Sequence, residues 1–209
     1  MIREALWHLP GLGPERLKQL HLAGIRTWDD FRHLPQDILL PIELHMKILT
    51  EIECSEQAII AADVQALLKR FHPKDLWRIA GHFFDSATFF DIETAGLSRD
   101  SEVTLIGCLH RGRLQTFVRG ENLDEFLPLL DDVKLLISFN GSSFDVPRVL
   151  GEFHIPTLPC PHVDLRWICY HRDLRGGLKS IERALGLRRP PDLTGTDGAE
   201  AVWLWQRWV

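Results

Sequence analysis

The segment Ala87-Thr88-Phe89-Phe90-Asp91-Ile92-Glu93, an apolar run that ends in two acids, decides the fold of this chain. Its residues favour β-structure, and Asp91 and Glu93 are expected on one face of a strand, near its carboxyl end. Two neighbouring anions disfavour each other's charged form unless a cation compensates, and such hard oxygen ligands suit Mg²⁺ or Mn²⁺. In the alternative interpretation, one carboxylate faces solvent and the other caps the turn that follows.

A second segment, Ser138-Phe139-Asn140-Gly141-Ser142-Ser143-Phe144-Asp145, also follows an apolar run, at 134–139. Asn140-Gly141 is typical of a turn, and Asp145 is expected in the first turn of the next helix. Acids that follow two strands of one α/β sheet meet at its carboxyl edge and can converge on one ligand. The sequence therefore predicts a single acidic site formed by Asp91, Glu93 and Asp145.

Outside these two segments, hydrophobic periodicity predicts an α/β architecture, a mixed sheet flanked by helices. Residues 1–80 combine helical apolar spacing with several prolines, which predicts a small all-helical domain there, before an α/β domain at 86–209. The predicted strands lie at 87–93, 103–109, 114–118 and 134–139, and the predicted helices at 122–132, 143–153, 163–170, 177–186 and 197–209.

Composition narrows the class of protein. The chain has 209 residues, 45% hydrophobic and 25% charged, without a signal-peptide pattern or an apolar run near the roughly 20 residues of a membrane span. We therefore expect a cytoplasmic protein that does not associate with membranes. The four cysteines lack CxxC spacing, which predicts free and mostly buried thiols rather than disulfides or a zinc site.

The formal net charge of −5 argues against a generic nucleic-acid binder, but the charge is unevenly distributed. Residues 166–189 contain seven basic and two acidic side chains, and Trp167 and Tyr170 lie among them. Basic and aromatic side chains in this arrangement, Lys179 included, can follow the backbone of a nucleic-acid strand. In the alternative interpretation, Trp167 belongs to the core and the arginines are only solvated.

Taken in order, the phrases Phe90-Asp91-Ile92-Glu93-Thr94 and Phe139-Asn140-Gly141-x-x-Phe144-Asp145-x-Pro147 resemble the first two motifs of the DEDD 3′–5′ exonucleases. Over about residues 86–205 the chain is most similar to the YprB-like family of bacterial ribonuclease H-like proteins. Further matches to that family are His162-Val163-Asp164-Leu165, Gly177-Leu178-Lys179-Ser180-Ile181-Glu182 and Gly195-Thr196-Asp197. The resemblance implies a ribonuclease H-like fold and two-metal hydrolysis of phosphodiester bonds in DNA or RNA, with Mg²⁺ or Mn²⁺.

The same resemblance implies a role for each residue of the site. Asp91 would bridge the two ions, Glu93 would bind one of them and Asp145 would hold the other. Thr94 would lie near the terminal nucleotide, and Asn140 would line the groove that binds the strand.

The chain departs from the family at the fourth acid. Family members carry a late Tyr-x-x-x-Asp or His-x-x-x-Asp motif, and no such motif occurs here; the family pattern places it beyond Val209, so the last motif is expected to be missing. Asp164 is the first candidate to replace this acid, and Asp197 is the second. Without a replacement, the chain is instead a catalytically incomplete nucleic-acid-binding module. A third possibility is a structural domain that docks on a partner through Trp203, Trp205 and Trp208.

Near the N-terminus, Leu9-Pro10-Gly11-Leu12-Gly13-Pro14 opens a predicted helix and resembles the helix-hairpin-helix motif of DNA repair and replication proteins. Glycines let a backbone approach a phosphate, and the free N–H groups of a helix start can bind it. Gly11, Gly13 and Lys18 are therefore predicted nucleic-acid contacts. The alternative is a purely structural helical hairpin.

Overall fold

The computed structural model of this chain describes residues 1–36, 38–96, 98, 101–190 and 198–208, with the side chains of residues 198 and 199 left aside. The chain divides into two compact units, Met1–Phe84 and Asp85–Val209. The first unit is helical in its described part. Its α-helices are α1 (Pro14–Leu22), α2 (Trp28–Arg32), α3 (Ile42–Ile60), α4 (Val64–Arg70) and α5 (Leu76–His82).

Local sequence signals begin the first two helices as predicted. Pro14 is the first residue of α1, where a missing backbone N–H costs nothing. Thr27 caps α2 in a capping box, since its hydroxyl accepts from the N–H of Asp30 and the Asp30 carboxylate accepts from the N–H of Thr27. Trp28 is fully buried and its indole N–H donates to the carbonyl of Ala5 at 2.7 Å, which joins α2 to the start of the chain.

The second unit is built on a five-stranded mixed sheet in the order β3-β2-β1-β4-β5. The antiparallel strands β1, β2 and β3 form a meander, and β4 and β5 continue the sheet in parallel with β1. This sheet confirms the predicted fold class. The strands are β1 (Ala87–Thr94), β2 (Val103–His110), β3 (Arg113–Val118), β4 (Leu135–Ser138) and β5 (His162–Asp164), and the helices are α6 (Phe126–Leu130), α7 (Asp145–Glu152), α8 (Leu165–Tyr170), α9 (Leu178–Ala184) and α10 (Gly198–Trp208).

Aromatic packing fixes α6 against the sheet. Phe126 is fully buried, with its ring centroid 5.4 Å from that of Phe117 on β3 and 6.1 Å from that of Phe90 on β1. All four residues of β4 are buried, as expected for a strand with a neighbour on each side. The strand that carries Asp91 and Glu93 and the strand that precedes Asp145 in the chain therefore both lie inside the sheet, with a neighbour on each side.

Two helix predictions differ from the structure. The helix expected at 122–132 is a 3-10 turn, Leu123–Glu125, followed by the short α6, and Asn122 accepts from the N–H of Val118 at 2.8 Å instead of capping a helix. The helix expected at 163–170 begins only at Leu165, because the residues before it form β5 against β4. The candidate acid Asp197 lies outside the described residues.

Candidate active site

The structure brings Asp91 and Asp145 together. The strands β1 and β4 run in parallel as neighbours, so the turn that follows β4 delivers Asp145, the first residue of α7, beside Asp91. The Asp145 carboxylate is buried, and its Oδ1 atom accepts from the backbone N–H of Ile92 at 3.2 Å. The two carboxyl groups also interact, since each shifts the pKa of the other. Among the described residues, no Lys, Arg or His forms an ion pair with either acid.

The pair is strained electrostatically when both groups are ionised. Burial, followed by repulsion from Asp91, raises the pKa of Asp145 to about 7. Asp91 is exposed along the cleft, but partial burial of its carboxyl group raises its pKa. The interaction with Asp145 lowers this pKa and so acts in the opposite direction. Two acids that resist ionisation side by side are typical of a site completed by a cation.

Glu93 lies on the same face of β1 as Asp91, two residues along. Burial, with repulsion from Asp91 as the smaller cause, raises the pKa of this half-buried carboxyl group. Glu93 does not line the cleft that Asp91 and Asp145 share. It borders a different, largely apolar groove of about 510 Å³ between the sheet and α10, where Leu105 and Trp205 are among its neighbours. Within the part of the chain that the structure describes, no three His, Cys, Asp or Glu side chains are close enough to form a metal cluster.

The residues present nevertheless fit a divalent ion. Mg²⁺ commonly binds proteins through only one or two carboxylates and completes its shell with water and substrate phosphates. The Asp91–Asp145 pair supplies hard oxygen donors from two carboxylates that line one cleft and carries uncompensated negative charge, which is the chemistry that such an ion requires.

Asp164 organises the turn that carries Asp145. Its buried carboxylate accepts from three backbone N–H groups: Oδ1 from Asn140 at 2.7 Å and from Arg166 at 2.9 Å, and Oδ2 from Ser142 at 3.0 Å. Both oxygens therefore have partners within the protein, and the Arg166 bond caps α8. This arrangement favours a positioning role for Asp164, whereas its use as a substitute fourth acid stays a prediction.

Gly141 lets the same turn lie close to β4. A β-carbon at this position would lie 2.7 Å from Cβ of Ser138, closer still to its hydroxyl, and 3.4 Å from Oδ2 of Asp145. Asn140, one residue earlier, takes a left-handed conformation with φ of 65°, which Asn tolerates better than most residues. The Ser138 hydroxyl in turn lies 2.8 Å from Nε2 of His162, whose pKa is lowered by burial.

A cleft of about 540 Å³ opens beside the acidic pair. Asn140 and Arg166 line one part of it, and the Arg166 guanidinium donates to the amide oxygen of Asn140. Gly176, Gly177 and Leu178 line another part and lead directly into α9. The sequence indicated the acids and Asn140 but not the glycine pair, whose place in the cleft depends on how the chain returns after α8.

Two further predicted contacts occupy different positions. Thr94 is buried at the end of β1, and its hydroxyl donates to the carbonyl of Gly96 at 2.7 Å, so it shapes the turn after the acids. Lys179 lies exposed on α9, one residue after the cleft-lining Leu178.

The remaining predicted contacts belong to the first unit. Gly11 has φ of 68°, in the left-handed region that favours glycine, and the nearest atom to a β-carbon there would be Cδ1 of the flexible Leu44 side chain at 2.8 Å. Gly13 precedes α1 in open surroundings, and Lys18 is exposed on that helix.

The strand order and the acids that line the cleft define an α/β domain with an acidic site at one edge of its sheet. The chain belongs to the RNase H superfamily, because a family model with that description matches residues 88–209. No curated protein gives a significant match. Among solved structures, the family B DNA polymerase from the hyperthermophilic archaeon Pyrobaculum calidifontis is similar, with 14% identity and a TM-score of 0.46. The match covers 57% of this chain and 21% of the polymerase, and a likeness this weak carries no functional argument.

Proposed function

We propose that this chain is a metal-dependent 3′–5′ exonuclease that hydrolyses phosphodiester bonds of DNA or RNA. The observation that carries the proposal is the pair of acids Asp91 and Asp145, which line the same cleft and lack an ion-paired cation among the described residues. Bound Mg²⁺ or Mn²⁺, two ions in this proposal, would stabilise charge on the scissile phosphate and activate a water.

The chain's own residues would prepare the site. The N–H of Ile92 holds Asp145 through its Oδ1 atom, which fixes one carboxylate before a cation arrives. Asp91 faces the cleft and is the acid most accessible to a substrate phosphate, and Glu93 would complete the donor set from the same face of β1. Arg166, exposed beside the pair, would contact a backbone phosphate of the substrate.

Further contacts follow from the position of the remaining predicted residues. Asn140 lines the cleft and would orient the strand, Lys179 on the next helix would contact phosphate, and Thr94 would support the turn beside the terminal nucleotide. In the first unit, the turn of Gly11 and Gly13 and the exposed Lys18 would bind nucleic acid in the manner of a helix-hairpin-helix motif.

One observation favours a second candidate function, a catalytically incomplete nucleic-acid-binding module. Asp164 has both carboxylate oxygens engaged by backbone N–H groups, and the described residues gather no cluster of three metal ligands. A chain of this kind would bind nucleic acid in a salt-sensitive way without turnover.

Hydrolysis of single strands separates the two candidates. Oligonucleotides of DNA and of RNA, labelled at the 5′ end, are incubated with the full chain in Mn²⁺, in Mg²⁺ or in EDTA. We expect a metal-dependent ladder that shortens from the 3′ end, and we expect no products from a circular strand. The Asp91→Asn variant should lose roughly 10³-fold or more of the rate, since it removes a donor that acts on the transition-state charge.

The matched control is Asp124→Asn, which changes an exposed carboxylate of the 3-10 turn Leu123–Glu125, outside the cleft. It should retain the wild-type rate. Equal rates for Asp91→Asn and wild-type protein would refute the nuclease proposal. Binding without metal-dependent products would support the second candidate, the nucleic-acid-binding module.

A further inference from the structure

An exposed aromatic pair lies on α8, the helix that also contributes Arg166 to the acidic cleft. Trp167 and Tyr170 on α8 are each 49% exposed, and their ring centroids lie 5.9 Å apart with the planes at 70°. The exposure of Trp167 contradicts the interpretation that places it in the core. Large aromatic rings bury 150–250 Å² when covered, so two half-exposed rings side by side offer a ligand a substantial apolar surface.

Basic residues lie close to this pair in the chain. The guanidinium carbon of Arg175 lies 3.6 Å from the ring centroid of Tyr170, and the same guanidinium pairs with Asp173 at 3.3 Å. Three further basic side chains are exposed near the pair in sequence: Arg166, Arg172 and Lys179. Exposed aromatic rings among arginines and lysines match the two parts of a single strand, because bases stack on rings and phosphates meet cations.

The chain connects the pair to the cleft at both ends. Arg166, which lines the cleft, immediately precedes Trp167, and Arg175 immediately precedes the cleft-lining Gly176. The aromatic pair therefore belongs to the stretch of chain that joins two parts of the cleft lining, although neither ring lines the cleft itself.

We propose that Trp167, supported by Tyr170 and Arg175, is a stacking platform for an unpaired nucleobase of single-stranded nucleic acid. The inference deepens the proposed function, on which its choice of ligand rests. The Arg175 guanidinium lies against the Tyr170 ring and holds it in place, and the Trp167 ring stacks on the base. The platform accepts any base, because stacking uses the π-face that all bases share.

The test measures binding without hydrolysis. The full chain is titrated in EDTA with fluorescent 12-nucleotide single strands of DNA and of RNA, and with an abasic strand of equal length and charge. We expect wild-type protein to prefer the base-containing strands, and Trp167→Ala to weaken their binding about 5- to 100-fold, the usual effect of removing one stacked ring. Binding of the abasic strand should be unchanged in this variant.

Two further variants make the result specific. Trp167→Phe keeps an aromatic face and should retain most of the preference for bases, whereas Trp167→Leu should lose it. Trp203→Ala is the matched control, because Trp203 on α10 is also half exposed, at 51%, with the guanidinium carbon of Arg207 at 4.7 Å from its ring centroid. The helix α8 contributes Arg166 to the cleft lining, whereas the described residues of α10 contribute none. It should bind as the wild type does.

The platform is overturned if the wild-type chain shows no preference for bases, if Trp167→Ala weakens base-containing and abasic strands alike, or if Trp203→Ala has the same effect. Failure of the platform is distinguishable from failure of the proposed function. The binding measurement needs no metal and no turnover, whereas hydrolysis is read from Asp91-dependent products in Mn²⁺.

Discussion

The Oδ1 atom of Asp145 accepts a hydrogen bond from the backbone N–H of Ile92, at 3.2 Å, and this bond joins the start of α7 to the strand that carries Asp91. It fixes a buried acid beside a second acid before any metal is present. The arrangement concentrates negative charge where water is scarce, so the site is built at the expense of stability.

This cost predicts how the metal-free protein responds to pH. The pKa of Asp145 is raised from 3.8 to about 7, so its contribution to folding is fully present below about pH 4 and is lost as the pH rises through about 7. Each pKa unit corresponds to about 1.4 kcal/mol, so the expected loss in the free energy of unfolding is on the order of a few kcal/mol. Denaturant unfolding in EDTA at pH 5 and pH 8 measures it.

The variant Asp145→Asn isolates this contribution, since His8, whose pKa is lowered to about 4 by burial, titrates with the opposite sign in both proteins. The free energy of unfolding of Asp145→Asn, relative to that of the wild type, should therefore increase from pH 5 to pH 8. A difference that stays constant over this interval would contradict the prediction.

Added metal should reverse the loss. At pH 8, millimolar Mg²⁺ or Mn²⁺ should raise the melting temperature of the wild-type chain, because a ligand that binds only the folded state stabilises it by mass action. At pH 5 the effect should be smaller, since protonated Asp145 competes with the ion. Asp145→Asn should show little response, and Asp124→Asn should respond as the wild type does. An equal rise in the melting temperature of Asp145→Asn would show that the ion binds elsewhere in the protein.

Asp164→Asn should loosen the turn at Asn140 without changing its sequence. The amide can keep the Oδ1 acceptor for two of the three N–H groups, but it turns an N–H₂ group toward the N–H of Ser142, where two donors oppose each other. We expect a loss of about 1–3 kcal/mol, the usual cost of an unsatisfied buried donor.

Amide hydrogen exchange at Ser142 locates this effect better than a global stability. The protection factor of the Ser142 amide should fall by about one order of magnitude or more, as expected from the free-energy loss of the Asp164→Asn variant. The control is Asp63→Asn at the start of α4, where an exposed carboxylate accepts one N–H, from Ala66, and Asn is an equally good cap. Undiminished protection at Ser142 would show that Asp164 does not hold the turn.

Much of the fold was predictable because its signals are local. The apolar runs of β1 to β4, the turn at Asn140-Gly141 and the start of α7 at Asp145 follow from neighbouring residues alone. The convergence of Asp91 and Asp145 was also predictable, since parallel strands end at the same edge of a sheet.

The missed features depend on contacts between residues distant in sequence. The strand β5 has only three residues and forms because it pairs with β4. The local sequence pattern contains no sign of this pairing and predicts these residues as part of a helix. Two of the three hydrogen bonds of Asp164 join residues that are 24 and 22 positions apart in the chain, and sequence spacing cannot show them. Only the structure shows that Trp167 is exposed.

Thiol reactivity should follow burial. The four free cysteines include Cys108, 1% exposed, and Cys160, 8% exposed, and burial raises the pKa of Cys160 to about 12. We expect Ellman's reagent at pH 8 to modify Cys54 first, then Cys169, whose pKa is raised to a lesser extent by burial, and all four only after unfolding. Peptide mapping of the labelled folded chain checks the order, and early labelling of Cys160 would contradict it.

Gly141→Ala should damage the site although it adds only one methyl group. The β-carbon would meet Cβ of Ser138 at 2.7 Å and the hydroxyl at a closer distance, so the turn has to move away from β4 and carry Asp145 with it. We expect a loss of about 1–3 kcal/mol in the free energy of unfolding, together with a weaker melting-temperature response to Mn²⁺.

Gly151→Ala is the matched control, since Gly151 lies in α7 with open space around the position of a β-carbon. Alanine there should leave the metal response unchanged and stabilise the chain by about 0.5–1 kcal/mol through helix propensity. The double variant Gly141→Ala/Ser138→Gly distinguishes close approach from other effects, because removal of the Ser138 side chain takes away both atoms nearest the new methyl group. It should recover part of the metal response, and a response as weak as that of Gly141→Ala alone would show that the contact with Ser138 is not the cause.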